Sequence, residues 1–306
     1  MRNIRVILEP LKVIALVIYY YFEAFILMLH GGRKNVAGKI VLITGSANGI
    51  GREIALNFAR LGAILVLWDI DEEGNKDTSE LVKKNGALAV YTYKCDLTKR
   101  EEIYSVADQV RKDVGDVDTL INNAGVLMRK NFTELSDADM EKTVKLNISA
   151  HFWTCKAFLP AMIACDSGHL VTISSIGGFI GANKLSDYCA SKAAEIGFLE
   201  SIAFEMWAAG KKGIKTTIIC PFFVDTGLIT GIKSKNPFVQ LLKADYVGQK
   251  IVDAIQKEKL YLFLPEFLGL ISPKTLLPRK ALFLIVEYFG FFTYFEKSRS
   301  RIETEK

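Results

Sequence analysis

A tyrosine and a lysine four positions apart are the residues of this sequence best placed to do chemistry. Tyr188 and Lys192 begin and end the stretch Tyr-Cys-Ala-Ser-Lys, and on a helix this spacing puts both side chains on one face. A free tyrosine ionises near about 10, and a neighbouring ammonium stabilises the phenolate and lowers its pKa. The pair, one strand and one loop after the serines Ser174-Ser175, therefore predicts a proton donor and acceptor near working pH.

A glycine-rich turn earlier in the chain predicts a dinucleotide site. The turn runs Thr44-Gly45-Ser46-Ala47-Asn48-Gly49-Ile50-Gly51 between an apolar run and a helical pattern. Gly45 permits a tight turn, Gly49 lets the backbone approach a pyrophosphate, and Gly51 allows close packing of helix and strand. The free N–H groups at the start of the helix would then face the phosphates.

An acidic residue follows this turn at the distance expected for a ribose contact. Asp69 closes the second predicted strand, eighteen residues after Gly51. A carboxylate there accepts hydrogen bonds from ribose hydroxyls and repels a 2′-phosphate. Since no arginine lies in the glycine turn or directly after Asp69, NAD is favoured over NADP. A helix N-cap role for Asp69 is the alternative, and it is compatible with the first.

Alternating apolar runs and helical patterns between residues 39 and 264 predict βαβ units. The expected fold class is α/β, a single Rossmann-type doubly wound parallel sheet. Six or seven strands fit one such sheet. The helix after the glycine turn is predicted over Gly49–Arg60, and the strands are predicted over Lys39–Thr44, Ile64–Trp68, Ala87–Tyr93, Thr119–Asn122, His169–Ser174 and Lys215–Ile219.

Taken together, these motifs closely resemble the short-chain dehydrogenase/reductase family over about residues 36–264. The residues that carry the resemblance are Thr44 to Gly51, Asn122-Asn123-Ala124-Gly125, Asn147, Ser175 thirteen residues before Tyr188, and Lys192. It implies that Tyr188 exchanges a proton with the substrate oxygen and Ser175 orients that oxygen. It further implies that Lys192 lowers the Tyr188 pKa and binds the nicotinamide ribose, while Asn147 holds a water leading to Lys192.

The resemblance also implies the cofactor-lining residues. The Asn-Asn-Ala-Gly segment would border the cofactor, with a structural role for Asn122 and Asn123 as the alternative, and Asp96-Leu97 would touch the adenine. The full set of expected cofactor residues is Thr44, Gly45, Ser46, Asn48, Gly49, Ile50, Gly51, Asp69, Asp96, Leu97, Asn123, Ala124, Gly125, Tyr188, Lys192, Pro221, Val224 and Thr226.

One departure from the family pattern lies beside the expected nicotinamide. The family usually has Pro-Gly where this chain reads Pro221-Phe222-Phe223. Phe222 and Phe223 add apolar bulk and are expected to contact substrate together with Ser175. With Thr226 and the hydrophobic chain ends, they resemble the membrane-bound subfamily 16C, which contains epidermal retinol dehydrogenases, related 17-beta-hydroxysteroid dehydrogenases and some lipid-droplet proteins.

Both ends of the chain are apolar. Residues 13–29 carry one charge, Glu23, and no cleavage site for a signal peptide follows, so residues 1–35 are expected to be a membrane anchor. A spanning helix and a helix lying in the interface both remain open. Residues 276–295 are broken by charges and Pro278. Residues 265–306 are therefore expected to form a hydrophobic extension that contacts the membrane, covers the substrate or packs on the core, with a charged tail.

Composition narrows the partners. A net charge of +5 without a long basic run argues against nucleic acid, and three scattered histidines predict no metal site. Five cysteines without a CxxC pair indicate reduced thiols. Of two glycosylation sequons, at Asn131 and Asn147, the second falls in the expected active site. The catalytic domain is therefore expected to face the cytosol, on the endoplasmic reticulum or a lipid droplet, and the family resemblance implies a homodimer.

The predicted function is the NAD(P)-dependent interconversion of a lipophilic alcohol and its carbonyl, with all-trans-retinol as the leading substrate. A 17-beta-hydroxysteroid or a fatty alcohol is the alternative, because an apolar pocket discriminates weakly between apolar shapes. A catalytically silent lipid-droplet protein is an alternative of another class. The presence of Asn147, Ser175, Tyr188 and Lys192 together argues against silence.

Overall fold

A computed structural model gives the architecture of the chain for residues 32–227 and 241–271. The strands are β1 (Ile40–Thr44), β2 (Ile64–Asp69), β3 (Ala89–Lys94), β4 (Thr119–Asn122), β5 (Gly168–Ile173), β6 (Ile214–Pro221), β7 (Val224–Asp225), β8 (Leu242–Lys243) and β9 (Tyr261–Leu264). The helices are α1 (Gly49–Ala59), α2 (Glu72–Lys84), α3 (Arg100–Asp113), α4 (Asp137–Thr143), α5 (Ala150–Cys165), α6 (Ser186–Ala208) and α7 (Ala244–Gln256).

Seven of these strands form one parallel sheet in the order β3-β2-β1-β4-β5-β6-β9. Strands β2 and β3 lie in turn on one side of β1. Strand β4 lies on the other side of β1, and β5, β6 and β9 follow it toward that edge. The direction therefore reverses between β1 and β4. In open α/β sheets, ligands bind outside the carboxyl ends of the strands at this reversal.

The core lies on both faces of this sheet. Neighbouring residues of β1 point to opposite faces, yet Val41, Leu42 and Ile43 are all fully buried. Val41 and Ile43 belong to the cluster packed with α1 and α7, and Leu42 belongs to the cluster packed with α3, α5 and α6. Covering by helices on both faces explains why the strands read as continuous apolar runs.

Helices α4 and α5 are joined by a π-helical turn over Val144–Ser149, which contains Asn147. Such turns are rare and often occur at functional sites. The long helix α6 begins two residues before Tyr188 and carries Lys192 in its second turn. The helical spacing predicted for these two residues is therefore confirmed.

The doubly wound parallel sheet predicted from the sequence is confirmed, and the predicted element ends differ from the observed ones by at most two residues. Strand β9 and the two-residue pair β7–β8 had no predicted bounds. The predicted membrane segments, residues 13–29 and 276–295, lie outside the described residues. Within residues 32–227 and 241–271, none of the helices is long and apolar enough to cross a membrane.

Candidate active site

A cavity of about 410 Å³ opens at the carboxyl ends of the strands, where the sheet reverses direction. It is lined by residues from the ends of β1, β2, β3, β4, β5 and β6, by the first turn of α1 and by the first two turns of α6. Among the residues singled out from the sequence, it contains Gly45, Asn48, Gly49, Ile50, Asp69, Asp96, Leu97, Asn123, Ala124, Gly125, Ser175, Tyr188, Lys192, Pro221, Phe222, Phe223, Val224 and Thr226.

The glycine turn has a shape that larger residues could not adopt. Gly45 has a φ of +67°, and an added Cβ would lie 2.9 Å from the Cα of Ala124. A Cβ on Gly51 would lie 2.0 Å from the carbonyl oxygen of Gly45. These close approaches bring the start of α1 onto the end of β1. The first turn of α1 lines the cavity through Gly49 and Ile50, and the N-terminus of a helix is a site that suits an anionic phosphate group.

Three residues predicted to bind cofactor lie behind the cavity wall: Thr44, Ser46 and Gly51. The Thr44 hydroxyl accepts from the backbone N–H groups of Asn123 at 3.0 Å and of Ala124 at 3.2 Å. The Ser46 hydroxyl donates to Asn75 Oδ1 at 2.8 Å. The hydroxyls of Thr44 and Ser46 thus tie the glycine turn to neighbouring segments, and this use explains why they are not directed into the cavity.

The Asn-Asn-Ala-Gly segment makes structural hydrogen bonds and also contributes to the cavity wall. Asn122 is buried, and its Oδ1 accepts from the Thr154 hydroxyl of α5 at 2.8 Å. The Asn123 Nδ2 donates to the carbonyl oxygens of Thr44 and Gly45, both at 2.9 Å. Asn122 is therefore structural. Asn123 ties β4 to the glycine turn and also borders the cavity.

Asp69 lies at the end of β2 and lines the cavity. Its Oδ2 accepts from the backbone N–H of Ala47 at 2.8 Å, and its Oδ1 accepts from the backbone N–H of Asp71 at 2.9 Å. The carboxylate therefore braces the glycine turn at the edge where a ribose would lie. The N-cap of α2 is Asp71, which accepts from Gly74 N at 3.0 Å, so the N-cap role considered for Asp69 is wrong.

Tyr188 and Lys192 meet at the inner end of the cavity. The Lys192 ammonium lies 5.5 Å from the centre of the Tyr188 ring. It donates to the carbonyl oxygen of Ile173 at 2.9 Å and to Glu195 Oε1 at 2.7 Å. Both Tyr188 and Lys192 are wall residues of the cavity, so a bound molecule can reach each of them.

Burial dominates the acidity of Tyr188 and raises its pKa above 10. The Lys192 ammonium and the hydrogen bond from Ser175 lower this pKa, and the Glu195 carboxylate raises it. Sequence reasoning correctly gave the direction of the lysine effect. The expectation of a lowered net pKa is wrong for these residues, because it left out burial and Glu195.

Ser175 and Asn147 flank this pair in different ways. The Ser175 hydroxyl accepts from Gly177 N at 3.1 Å and lies in the cavity wall. Asn147 is fully buried behind the wall, where its Nδ2 donates to the Ser191 hydroxyl at 2.9 Å and its Oδ1 accepts from Val126 N at 2.8 Å. The Asn147 side chain therefore fixes the loop after β4 against α6, and the π-helical turn places it there.

Sequence reasoning missed two ionisable residues behind Lys192. Glu195 has a side chain with 0% exposure, and His151 of α5 has one with 3% exposure. The His151 Nε2 lies 4.0 Å from Glu195 Oε1. Spacing could have revealed Glu195, because it follows Lys192 by three residues on an otherwise apolar helix face. His151 is brought close only by the packing of α5 on α6.

The other side of the cavity is apolar. Phe222 and Phe223 pack edge to face with ring centres 4.5 Å apart. They belong to a cluster with Ile176, Leu185 and, from the turn after β9, Leu268. The Phe222 N–H donates to the carbonyl oxygen of Leu264 at 2.7 Å. Since this bond ties the loop to the end of β9, a phenylalanine is accommodated where the family usually has glycine.

Comparison with known proteins agrees with this geometry. A family model described as short chain dehydrogenase matches residues 39–237. Epidermal retinol dehydrogenase 2 of Mus musculus is 54% identical over 85% of this chain and 85% of its own. Short-chain dehydrogenase/reductase family 16C member 6 of Bos taurus is 46% identical over 89% of this chain and 87% of its own.

A solved structure, a short-chain dehydrogenase/reductase from Burkholderia phymatum in complex with NAD, superposes with a TM-score of 0.70 at 25% identity, over 78% of this chain and 93% of its own. The predicted resemblance, including that to subfamily 16C, is confirmed. With its glycine turn, its cavity at the sheet reversal and its tyrosine–lysine pair, this chain is an enzyme that belongs to the short-chain dehydrogenase/reductase family.

Proposed function

We propose that this enzyme oxidises a lipophilic alcohol to its carbonyl with NAD, and that all-trans-retinol is its substrate. The observation that carries the proposal is a cavity in which Tyr188 lies with a glycine turn and a phenylalanine-rich wall. The polar side of the cavity suits a dinucleotide, whereas the apolar side suits a molecule without charge. The similarity to epidermal retinol dehydrogenase 2 of Mus musculus supports the choice of retinol.

The residues present fit a nicotinamide dinucleotide. The absence of side chains at Gly45 and Gly49 leaves room for a pyrophosphate at the N-terminus of α1, and Asp69 is available to ribose hydroxyls. Leu97 and Asp96 line the part of the cavity beyond β3. When bound, the nicotinamide would supply the acceptor for a hydride, which side chains of proteins cannot supply.

Side chains of this protein carry out the transfer of the alcohol proton. In the oxidation direction, the Tyr188 oxygen accepts the proton of the alcohol hydroxyl while Ser175 holds the substrate oxygen by a hydrogen bond. Lys192 favours the phenolate form of Tyr188 through its positive charge. Since burial raises the pKa of Tyr188, the tyrosine is protonated at neutral pH, and we expect oxidation to accelerate as the pH rises.

NAD is proposed over NADP because of Asp69. A carboxylate at the end of β2 accepts from ribose hydroxyls but repels a 2′-phosphate. The nearest arginine along the glycine turn, Arg52, donates to the Thr78 hydroxyl at 2.9 Å and also to the carbonyl oxygen of Ala47. These bonds hold the guanidinium against the backbone of the turn, where it cannot also clamp a phosphate beyond Asp69.

Steady-state turnover on a substrate panel tests the proposal. The full chain, in native-like membranes, is assayed with all-trans-retinol, a 17-beta-hydroxysteroid and a long-chain alcohol, each with NAD and with NADP. We expect the highest kcat/KM for retinol with NAD. A preference for the steroid or the fatty alcohol would correct the substrate and leave the reaction class standing. Absence of turnover with every pair would favour a catalytically silent lipid-droplet protein.

We also propose that the catalytic domain faces the cytosol, attached to the endoplasmic reticulum or a lipid droplet. All five cysteines are free, which suits a reducing compartment. Asn147, in one of the two glycosylation sequons, is fully buried and cannot carry a glycan in the folded domain. Protease protection of intact microsomes tests this orientation. A domain that resists protease until detergent is added, or that shifts in size after endoglycosidase treatment, would overturn it.

A further inference from the structure

A buried carboxylate adjoins the lysine of the active site. Glu195 lies one turn after Lys192 on α6, and its Oε1 accepts from the Lys192 ammonium at 2.7 Å. The side chains of both residues are buried, with exposures of 0% and 5%. The second oxygen, Oε2, is also buried and has no hydrogen-bond partner among the described residues. The ion pair is therefore shielded from solvent. Charges interact more strongly in the protein interior than in water.

The other ionisable groups around Glu195 keep a constant charge in the working range. His151 of α5 has a pKa lowered to about 3 by burial and by Lys192, so it stays neutral. Burial raises the pKa of the Cys220 thiol of β6 far above its usual value, and raises that of Cys189 on α6 to about 11. His151, Cys189 and Cys220 therefore stay neutral in the working range and add no change of charge beside Glu195, Lys192 and Tyr188.

We propose that Glu195 is a positioning residue that sets the pH at which Tyr188 exchanges its proton, acting through Lys192. This inference rests on the proposed role of Tyr188. The geometry gives the carboxylate two effects. It anchors the lysine ammonium together with the Ile173 carbonyl oxygen, and its negative charge offsets part of the positive charge that Tyr188 experiences at 5.5 Å.

The acidities of the three groups agree with this arrangement. Burial favours a neutral Lys192, but Glu195, Tyr188 and Cys220 together outweigh this effect and raise the lysine pKa, with Glu195 as the first of the three. Burial raises the pKa of Glu195 to about 7, against the opposing effect of Lys192. The carboxylate is therefore ionised in the alkaline range where Tyr188 titrates. Its charge there makes the phenolate of Tyr188 harder to form.

The test is the pH profile of kcat/KM for alcohol oxidation by the full chain in membranes, at saturating NAD, for wild type and Glu195→Gln. The amide keeps the size of the side chain and removes the charge. A charge within a few ångströms shifts a pKa by roughly 1–3 units, and Glu195 acts through an intervening lysine. We therefore expect the alkaline-side midpoint to move about one unit lower, with up to tenfold faster oxidation below that midpoint.

Glu200→Gln is the matched control. Glu200 is also on α6, and it accepts from the Tyr261 hydroxyl at 2.6 Å without contacting Lys192. The same change of carboxylate to amide there is expected to leave the midpoint in place. A shift in Glu195→Gln alone supports the inference. An unchanged midpoint in a folded, active Glu195→Gln enzyme, or an equal shift in both variants, overturns it.

Two further variants distinguish a failure of the role proposed for Glu195 from a failure of the role proposed for Tyr188. Should Glu195→Gln not fold, Glu195→Asp keeps the charge but moves it away from Lys192. Its midpoint must then move in the same direction by a smaller amount, and an unmoved midpoint overturns the inference. Tyr188→Phe tests the proposed function beneath it. If Tyr188→Phe keeps full turnover, the role of Tyr188 fails. If Tyr188→Phe is inactive and the Glu195 variants keep the wild-type midpoint, only the role of Glu195 fails.

Discussion

The two halves of the cavity are formed by different kinds of chemical group. The half around the glycine turn is formed mainly by backbone, which lies close together because Gly45 and Gly51 have no side chains. Hydrogen bonds between the uncharged groups of Thr44 and Asn123 hold this backbone in place. The half around Tyr188 combines the apolar wall of Phe222 and Phe223 with ionisable side chains, because behind Tyr188 lies the buried ion pair of Lys192 and Glu195. The carboxylates of Asp69 and Asp96 bring charge to the wall of the glycine-turn half, and that of Asp69 accepts from the glycine turn.

This difference indicates how each half should respond to change. A surface shaped by backbone is sensitive to added atoms, because a new Cβ has no space, but it is insensitive to pH. A cluster of buried charges is sensitive to the removal of single polar atoms and to pH, because each charge depends on its neighbours. Mutations and pH changes can therefore test whether the two halves are as distinct as they look.

Removing the Tyr188 hydroxyl should give the largest effect. Tyr188→Phe keeps the ring and its packing but removes the atom that accepts and donates the proton. Acid–base catalysis contributes about 10²–10⁴-fold, so we expect a loss of kcat of that size with NAD affinity kept within a few-fold. Single-turnover kinetics and NAD titration measure the two quantities separately. Turnover within threefold of wild type would remove Tyr188 from its assigned role.

Much of the fold could be predicted because its signals are local. A strand buried on both faces is a continuous apolar run, and the glycine turn marks the first strand–helix boundary. The strands of the pair β7–β8 have two residues each, which is too few for a periodic pattern. The pairing of β9, Tyr261–Leu264, with β6 at the edge of the sheet is a non-local contact that no local pattern encodes.

The site could be predicted in part for the same reason. Tyr188 and Lys192 are found by spacing on one helix. The burial that raises the Tyr188 pKa, and the approach of His151 to Glu195, depend on how α5 packs on α6, which no local pattern encodes. The shape of the turn could be predicted from its glycines. The hydroxyls of Thr44 and Ser46 bond to segments distant in sequence, so their direction could not be predicted from the turn alone.

Adding one methyl group to the glycine turn should disturb the cofactor half. In Gly51→Ala, the new Cβ would lie 2.0 Å from the carbonyl oxygen of Gly45, so the backbone must move. Overpacking of this kind costs about 1–3 kcal/mol. We expect that loss in the free energy of unfolding together with weaker NAD binding, measured by chemical denaturation and by cofactor titration.

Gly197→Ala is the matched control for the glycine turn. Gly197 lies within α6, and nothing occupies the space within 4 Å of an added Cβ. Alanine is favoured over glycine in a helix by roughly 0.5–1 kcal/mol, so this variant should be at least as stable as wild type and bind NAD normally. Equal behaviour of the two alanine variants would contradict the account of a backbone-shaped cofactor half.

Acid should weaken the catalytic half through His151. The unfolded chain binds a proton at His151 below about 6.5, whereas burial lowers the folded pKa to about 3. Stability from the neutral histidine is therefore complete above pH 6.5 and is lost as the pH falls toward 3. At pH 5 the loss amounts to about 2 kcal/mol. Chemical denaturation of wild type and His151→Gln at several pH values measures it.

The comparison between those two proteins isolates the histidine. Glu195 also titrates in this range, with the opposite sign, because its folded pKa is raised to about 7 and the folded state then gains stability as the pH falls. Both proteins contain Glu195, so its contribution is common to them. We expect the wild type to lose more stability than His151→Gln between pH 7.5 and 5. Parallel curves would show that His151 is not held neutral.

The smallest effect is expected at Asp69, the carboxylate of the cofactor half that lies at the end of β2. Asp69→Ala removes the carboxylate that repels a 2′-phosphate, and we expect the preference for NAD over NADP to fall about tenfold, or about 1.4 kcal/mol. Because Asp69 also accepts from Ala47 N, some stability will be lost as well.

Asp71→Ala is the control variant. It removes the N-cap of α2 and should cost about 1 kcal/mol of stability while leaving the cofactor preference unchanged. The ratio of kcat/KM with the two cofactors distinguishes these variants. A ratio that stays at the wild-type value in Asp69→Ala would mean that the charge of Asp69 does not select the cofactor, and that the shape of the glycine-turn half has a larger part in the selection.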